Sequence, residues 1–184
     1  MRHIGSLINA EWGEVNMLSD NIISERLMLR DVVESDAKNV WKIWINKENE
    51  KYMSDPVESL EEVISICNYK DRDGYLIVAA LKDTGEVIGT CSFGPTNKKN
   101  EWGFGYSIKQ EFWGKGYATE IVKVVIEFGQ NLGITDFVSS CAIENTASGK
   151  VLEKCGMNKE HRNSFRQPKL NIVYESQVYK LHVD

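Results

Sequence analysis

Two glycines at the boundary between a strand pattern and a helix pattern constrain this chain more than any other feature. The segment EFWGKGYATE, residues 111–120, carries Gly114 and Gly116. Apolar residues alternate over 102–108, as in a strand, and recur at helical spacing over 118–132. A glycine turn that opens a helix exposes backbone N–H groups beside the positive end of the helix dipole. We therefore expect the chain to bind a phosphorylated compound at this turn.

Spacing excludes two common nucleotide-binding motifs at this turn. A P-loop requires GxxxxGK followed by Ser or Thr, and the chain contains no such run. A dinucleotide-binding fingerprint requires a third glycine three positions after the second, where this chain has Thr119. Because glycine pairs before helices are often plain turns, the surrounding sequence has to decide the role of this one.

Composition indicates one globular domain in the cytoplasm. The chain has 184 residues and a net charge of −5, which disfavours a general nucleic-acid surface. No apolar run approaches the roughly 20 residues that span a bilayer, and no secretory signal is expected. The three histidines are scattered, so no metal site is expected. Reduced, buried thiols are expected for the cysteines, which form no CxxC pair: Cys67, Cys91, Cys141 and Cys155.

Hydrophobic periodicity predicts one domain over residues 22–184, preceded by an extension over 1–21 that is flexible or loosely attached. Ser35 and Ser59 are expected to cap the first two helices. The predicted strands are an edge strand at 26–30, a meander of 75–81, 86–93 and 102–108, and then 136–142, 157–165 and 171–183. The glycine-led helix ends near Gly133, and a shorter helix covers about 146–155.

The glycine segment resembles the acyl-CoA loop of the GNAT acetyltransferases, whose pattern is Gln or Arg, two residues, Gly, one residue, and Gly or Ala. Trp113 takes the first place and departs from that pattern, Gly116 takes the fourth, and Ala118 takes the sixth. WGKGYATE resembles the branch that contains the ribosomal-protein-alanine acetyltransferases RimJ and RimL. The resemblance covers about residue 25 to the C-terminus. It implies an α+β GNAT fold, with a mostly antiparallel mixed sheet flanked by helices and splayed between the fourth and fifth strands.

The resemblance further implies that acetyl-CoA is the acyl donor, with its pantetheine arm between the splayed strands. On the fourth predicted strand, Gly103 and Gly105 share one face, which suggests a close backbone approach or a plain bend. The strand from Gly103 to Ile108 covers about 16 Å, a length suited to an extended pantetheine arm. The thioester would lie near Gly103 and Phe104. The candidate CoA-binding residues are Phe104, Tyr106, Ile108, Trp113, Gly114, Lys115, Gly116, Tyr117, Ala118 and Thr119.

A second segment, ENTASGKVLEKCGM over residues 144–157, resembles the family's other CoA-binding segment. The resemblance implies that Asn145 hydrogen-bonds the pantetheine amides and that Ser148 faces the sulfur from the first helical turn. The alternative is that Asn145 is only a helix N-cap and Ser148 merely its neighbour.

Transfer of an acyl group to an amine requires a neutral nucleophile, stabilisation of the tetrahedral oxyanion and departure of the thiolate. A backbone N–H at Phe104 or nearby can stabilise the oxyanion. Glu101 is the candidate base because strand alternation puts it on the glycine face, although it could equally be a solvated carboxylate. Many relatives place an acidic Tyr where this chain has Leu152. The proton would then come from Ser148, from a more distant Tyr such as Tyr179, or from solvent.

These observations predict an acetyl-CoA-dependent N-acetyltransferase that acts by direct attack of a primary amine, either a protein N-terminus or a small molecule. The alternative is a noncatalytic acyl-CoA-binding or interaction module, which Leu152 favours slightly. Acceptor contacts are expected from Trp44, Tyr52 and Met53 and from the loop over 163–170. The oligomeric state does not follow from the sequence.

Overall fold

The computed structural model describes residues 18, 20–69 and 72–184. Most of the predicted extension over 1–21 lies outside the described residues. Leu18 lies inside them, and its N–H donates to Asp31 Oδ2 at 2.7 Å while its side chain packs against the larger apolar core.

The described residues form eight strands and five α-helices around one sheet. The strands are β1 (Ile22–Ile23), β2 (Leu27–Asp31), β3 (Tyr75–Leu81), β4 (Val87–Pro95), β5 (Glu101–Ile108), β6 (Asp136–Ala142), β7 (Asn158–Gln167) and β8 (Ile172–His182). The helices are α1 (Ala37–Trp44), α2 (Lys47–Glu50), α3 (Leu60–Asn68), α4 (Tyr117–Asn131) and α5 (Thr146–Lys154), with 3-10 turns at Glu34–Asp36 and Gln110–Phe112. The predicted α+β class is confirmed.

The strand order is β1-β2-β3-β4-β5-β6-β8-β7, and every neighbouring pair is antiparallel except β5 and β6. This is the mostly antiparallel mixed sheet that the family resemblance implied. The prediction that the strand near Arg26 forms the edge of the sheet is wrong, because β1 pairs outside β2. A strand of two residues has no alternation that a sequence pattern could reveal.

Helices cover both faces of the sheet, and β3 shows why its sequence is apolar throughout. Tyr75, Ile77 and Ala79 pack in the core shared with α4 and α5. The residues between them join a second core shared with α1 and α3, and these are Leu76, Val78 and Ala80. Since successive side chains point to opposite faces, a strand buried on both sides reads as a continuous apolar run.

The predicted helix caps have different outcomes. Ser59 caps α3 as predicted, since its Oγ accepts from the N–H of Glu62 at 3.1 Å. The prediction for Ser35 is wrong, because α1 begins at Ala37 and Ser35 lies inside the preceding 3-10 turn. Asp36 organises this turn instead by accepting from the N–H of Val33 at 3.0 Å.

The splay predicted between the fourth and fifth strands is present between β5 and β6. These strands pair only where Glu101, Trp102 and Gly103 face Asp136, Phe137 and Val138. Beyond Gly103, β5 continues along β4 to Ile108, whereas β6 continues along β8 to Ala142. A V-shaped gap therefore opens in the sheet toward the glycine turn.

Two further observations concern the cysteines and the helices. All four cysteines are free thiols; Cys67 and Cys91 are buried as expected, whereas Cys141 and Cys155 are only partly buried, so the prediction of burial is wrong for these two. Within the described ranges, every helix is too short or too polar to cross a bilayer.

Candidate active site

The open edge of β5 presents main-chain groups to the gap. On its other edge, the N–H of Lys109 donates to the carbonyl of Ile88 at 2.8 Å, and the carbonyl of Glu101 accepts from Thr96 at 2.9 Å. Odd-numbered residues of β5 thus bond to β4, and the main-chain groups of a strand alternate between its two edges. Phe104, Tyr106 and Ile108 therefore direct theirs to the edge that faces β6, and the N–H of Phe104 is the last that the parallel ladder engages.

Side chains already contact two carbonyls on this edge. Ser139 Oγ donates to the carbonyl of Phe104 at 2.8 Å, at the vertex of the gap. Trp113 Nε1 donates to the carbonyl of Ile108 at 2.8 Å, at its open end. Tyr106 lies between these contacts and beyond the parallel ladder. Its main chain is therefore central to the edge that an extended ligand would follow.

The turn between β5 and α4 has the backbone that its two glycines allow. Gly114 and Gly116 have φ angles of 72° and 84°, in the left-handed region that other residues enter at a cost. Among the described residues, no acceptor receives a hydrogen bond from the main-chain N–H groups of residues 114–119. The positive end of the 15-residue helix α4 lies at the same place. Free donors and helix dipole together suit a diphosphate.

Trp113, which stands where the GNAT pattern has Gln or Arg, holds the glycine turn against the end of β5. Its indole N–H bonds the end of β5, as described above, so the side chain fastens the turn to the strand while the ring stays partly exposed. Lys115 Nζ lies 5.1 Å from the Phe112 ring centroid and leaves its charge in solvent near the turn. The other predicted CoA-binding residues of this segment form the first turn of α4, and they are Tyr117, Ala118 and Thr119.

Asn145 and Ser148 lie at the start of α5, on the far side of the gap. Asn145 Oδ1 accepts from the N–H of Ser148 at 3.1 Å, so Asn145 is the N-cap of the helix. This contact uses the carbonyl oxygen, and Nδ2 has no acceptor in the part of the chain that the structure describes, so it can donate to a ligand. The capping interpretation and the ligand-binding interpretation of Asn145 are therefore compatible.

A pair of hydroxyls joins β5 to α5 beside the gap. Tyr106 Oη lies 2.8 Å from Ser148 Oγ. Burial raises the pKa of Tyr106 well above its ordinary value, so the phenol stays protonated at neutral pH. The sequence indicated Tyr106 only through its main chain. No local pattern shows that its side chain meets a residue 42 positions later.

The other two positions considered for the proton donor, Leu152 and Tyr179, are buried. Leu152 is fully buried in the core between α5 and the sheet, so the position where relatives have Tyr contributes no polar group here. Tyr179 is also buried, and its Oη packs so closely under α5 that a Cβ at Gly149 would lie 2.8 Å from it. Burial raises the pKa of Tyr179 as well.

Glu101 lies at the closed end of the gap, where β5 still pairs with β6, and is only 7% exposed. Its carboxylate contacts Lys180 Nζ at 2.9 Å, Thr96 Oγ1 at 2.9 Å and Lys98 Nζ at 3.6 Å. Burial alone would raise the pKa of Glu101, but the hydrogen bonds from Lys180 and Thr96 and the two ammonium charges leave it below its ordinary value. The carboxylate is therefore ionised, and it is already paired.

The two predicted acceptor segments meet in the structure, although residues 163–167 of the predicted loop belong to strand β7. Gln167, at the β7–β8 hairpin, is fully buried and donates from Nε2 to the carbonyl of Glu50 in α2 at 3.1 Å. Lys169 Nζ contacts Glu50 Oε1 at 2.6 Å. Nearby, the Tyr52 and Tyr174 rings lie 5.5 Å apart, edge to face. Trp44 is buried and donates to Thr90 Oγ1 at 3.0 Å, so it contributes to packing.

Known proteins share both sequence and fold with this chain. A family model described as acetyltransferase (GNAT) domain matches residues 26–158. The uncharacterized N-acetyltransferase p20 of Bacillus licheniformis is 31% identical over 149 residues, which cover 77% of this chain and 84% of that protein. The uncharacterized N-acetyltransferase YoaA of Bacillus subtilis is 28% identical over 166 residues, covering 86% and 94%.

Solved structures extend the likeness to the fold. An acetyltransferase of the GNAT family from Bacillus anthracis has a TM-score of 0.78 at 21% identity, covering 89% of this chain and 98% of that one. RimL, a ribosomal L7/L12 alpha-N-protein acetyltransferase solved with coenzyme A, has a TM-score of 0.73 at 19% identity, covering 90% and 99%. At these identities the structures are informative about the fold.

Proposed function

Because the chain belongs to the acetyltransferase (GNAT) family and is an acetyl-CoA-dependent N-acetyltransferase, we propose that its acceptor is the α-amine of a protein N-terminus, with the reaction in the cytoplasm. The likeness of WGKGYATE to the ribosomal-protein-alanine branch supports this acceptor. So does the fold shared with RimL, which is named for acetylation of a protein α-amine.

One observation carries the donor side of the proposal, namely the gap between β5 and β6 that leads to the N–H groups of residues 114–119, which have no acceptor among the described residues. An acetyl-CoA whose diphosphate lies at this turn would extend its pantetheine arm along the open edge of β5. Its thioester would then approach the vertex near Phe104, where the two strands meet.

In the proposed reaction the neutral amine attacks the thioester carbonyl, a C–N bond forms, and the C–S bond breaks as the tetrahedral intermediate collapses. The sequence suggested an N–H at Phe104 or nearby for the oxyanion. The register favours Tyr106, because the parallel pairing of Gly103 with Val138 engages the N–H of Phe104 and leaves Tyr106 as the first residue whose N–H faces the gap. Ser148 would deliver a proton to the departing thiolate and take one from Tyr106 Oη, 2.8 Å away.

Glu101 is retained as the proposed proton acceptor for the attacking amine. It lies beside Gly103 on β5 and is ionised, which suits a base. Its contact with Lys180 lowers its basicity, so a bridging water is the expected first acceptor.

The test is an acceptor panel assayed with acetyl-CoA, in which thiol release and the acetylated product are both measured. The panel contains peptides with N-terminal Ala or Ser, the same peptides with a blocked α-amine and an added Lys, and polyamines or amino acids. The proposal predicts that α-amine peptides have the highest kcat/KM. Faster acetylation of the small amines would reject the protein acceptor, and absence of product with every amine would favour a noncatalytic binding module.

A further inference from the structure

Arg26, the residue just before β2, reaches across to the glycine turn, where its side chain makes four contacts in addition to the hydrogen bond from its main-chain N–H to Glu120 Oε1 at 2.7 Å. Its Nε and Nη2 lie 2.7 Å from Glu120 Oε2, and its Nη1 donates to the carbonyl of Lys115 at 2.9 Å. The guanidinium carbon lies 4.1 Å from the Tyr117 ring centroid, over its face. One side chain thus holds the turn, the first turn of α4 and the N-terminal part of the sheet in one arrangement.

The contact with Lys115 fixes the orientation of the peptide unit that enters Gly116. In a trans peptide the C=O and the following N–H point in opposite directions. Because the Lys115 carbonyl points toward Arg26, the N–H of Gly116 points away from Arg26, to the side where the diphosphate would lie. Glycine tolerates either sign of φ, so without this bond the peptide could rotate at little steric cost and present its carbonyl to an anion.

The contact with Glu120 removes an electrostatic obstacle. This carboxylate lies in the first turn of α4, beside the free N–H groups of the turn. Burial acts to raise its pKa, but hydrogen bonds from Arg26 and Ser24 leave it below the ordinary value, so it is ionised. A carboxylate there without a cationic partner would repel a phosphate. The Arg26 guanidinium neutralises it with paired donors that a Lys side chain lacks.

We propose that Arg26 is a positioning residue for the diphosphate of acetyl-CoA, which acts by fixing the Lys115–Gly116 peptide and by neutralising Glu120. The proposal rests on the proposed function, because it assumes that the diphosphate lies at residues 114–119.

The experiment compares acetyl-CoA with S-acetylpantetheine, a donor that has the same thioester but no diphosphate. Arg26→Met should raise the KM for acetyl-CoA more than tenfold and leave both kcat and the KM for S-acetylpantetheine within twofold. Arg26→Lys, which keeps the charge, should fall between Met and the parent. Arg30→Met is the matched control, because Arg30 lies in β2, four residues after Arg26, and binds Asp36 at 2.6 and 2.8 Å and the Asp31 carbonyl at 3.1 Å, away from the turn. It should leave the ratio of the two KM values unchanged.

The outcomes separate the proposal from its premise. A parent enzyme that uses both donors with equal KM would reject the diphosphate site itself. A parent that prefers acetyl-CoA, with the same preference in folded Arg26→Met, would overturn the role of Arg26 alone. An equal rise of both KM values in the Met and Lys variants would also overturn it, since that is the effect of general structural damage. Thermal unfolding of each variant establishes that it is folded.

Discussion

Replacing Gly114 by Ala tests the diphosphate site, and Gly85 provides a matched control. The two glycines have φ angles of 72° and 73°. A Cβ built at either position has no described atom within 4 Å, so neither substitution creates a clash. Gly85 lies between β3 and β4, in a turn away from the gap. The variants therefore share the same backbone strain and differ in their location.

The strain sets the expected loss of stability. A side chain in the left-handed region costs about 1–2 kcal/mol, so both variants should lose a similar free energy of unfolding and a few degrees of Tm. At position 114 the new methyl group also lies among the unpaired N–H groups. Relaxing φ would turn those groups away from the ligand. We expect the Kd for CoA to rise more than tenfold, a loss of at least about 1.4 kcal/mol of binding free energy, in Gly114→Ala but not in Gly85→Ala.

A second matched pair makes the result independent of one position. Gly116 and Gly133 lie at opposite ends of α4 with φ angles of 84° and 81°. Calorimetric titration with CoA and thermal unfolding should be measured for all four Ala variants. The reasoning is refuted if the two turn variants bind CoA as tightly as their controls do, while all four lose the same stability.

Three further perturbations have expected outcomes. Ser148→Ala should lower kcat at least tenfold, and Tyr106→Phe should lower kcat by a similar factor without raising the KM for acetyl-CoA. An unchanged kcat under conditions where chemistry limits turnover would exclude this pair as the proton donor. Glu101→Gln should lower kcat about 10²-fold. Lys180→Met should move the acidic limb of the pH profile to higher pH, because it removes the largest contribution that lowers the Glu101 pKa while burial still raises that pKa; a limb that stays in place argues for another base. Gly129→Ala should destabilise the fold by about 1–3 kcal/mol in urea unfolding, since its Cβ would lie 2.5 Å from a Phe137 ring carbon; stabilisation by the better helix former would contradict this packing.

Sequence patterns predicted the strands, helices and turns that a short run of neighbouring residues determines. Alternation gave β5, helical spacing gave α4, and the glycines between them gave the turn with positive φ. The splay followed from the family resemblance and matches the short pairing of β5 with β6. The N-cap of α1 was assigned to Ser35 because a serine before an apolar stripe is a common start signal. Asp36 organises that turn instead, through its pairing with Arg30.

The parts of the site that the sequence missed depend on contacts between distant residues. Tyr106 meets Ser148 only because α5 packs beside β5 in the folded chain. Arg26 and Glu120 are 94 residues apart, and neither belongs to a short motif that announces the other. The pairing of Glu101 with Lys180 likewise depends on β8 lying next to β6. Spacing rules describe one element at a time, so they cannot show which side chains two elements bring together.

Hydrogen exchange at residues 114–119 tests the central claim most directly. These N–H groups have no acceptor in the described part of the chain, so they should exchange rapidly in the free protein. Mass spectrometry of a peptide covering the turn should show strong protection when acetyl-CoA saturates the enzyme, together with protection at Tyr106 on the open edge of β5. A saturated enzyme whose turn exchanges as fast as that of the free protein would contradict the placement of acetyl-CoA in the gap.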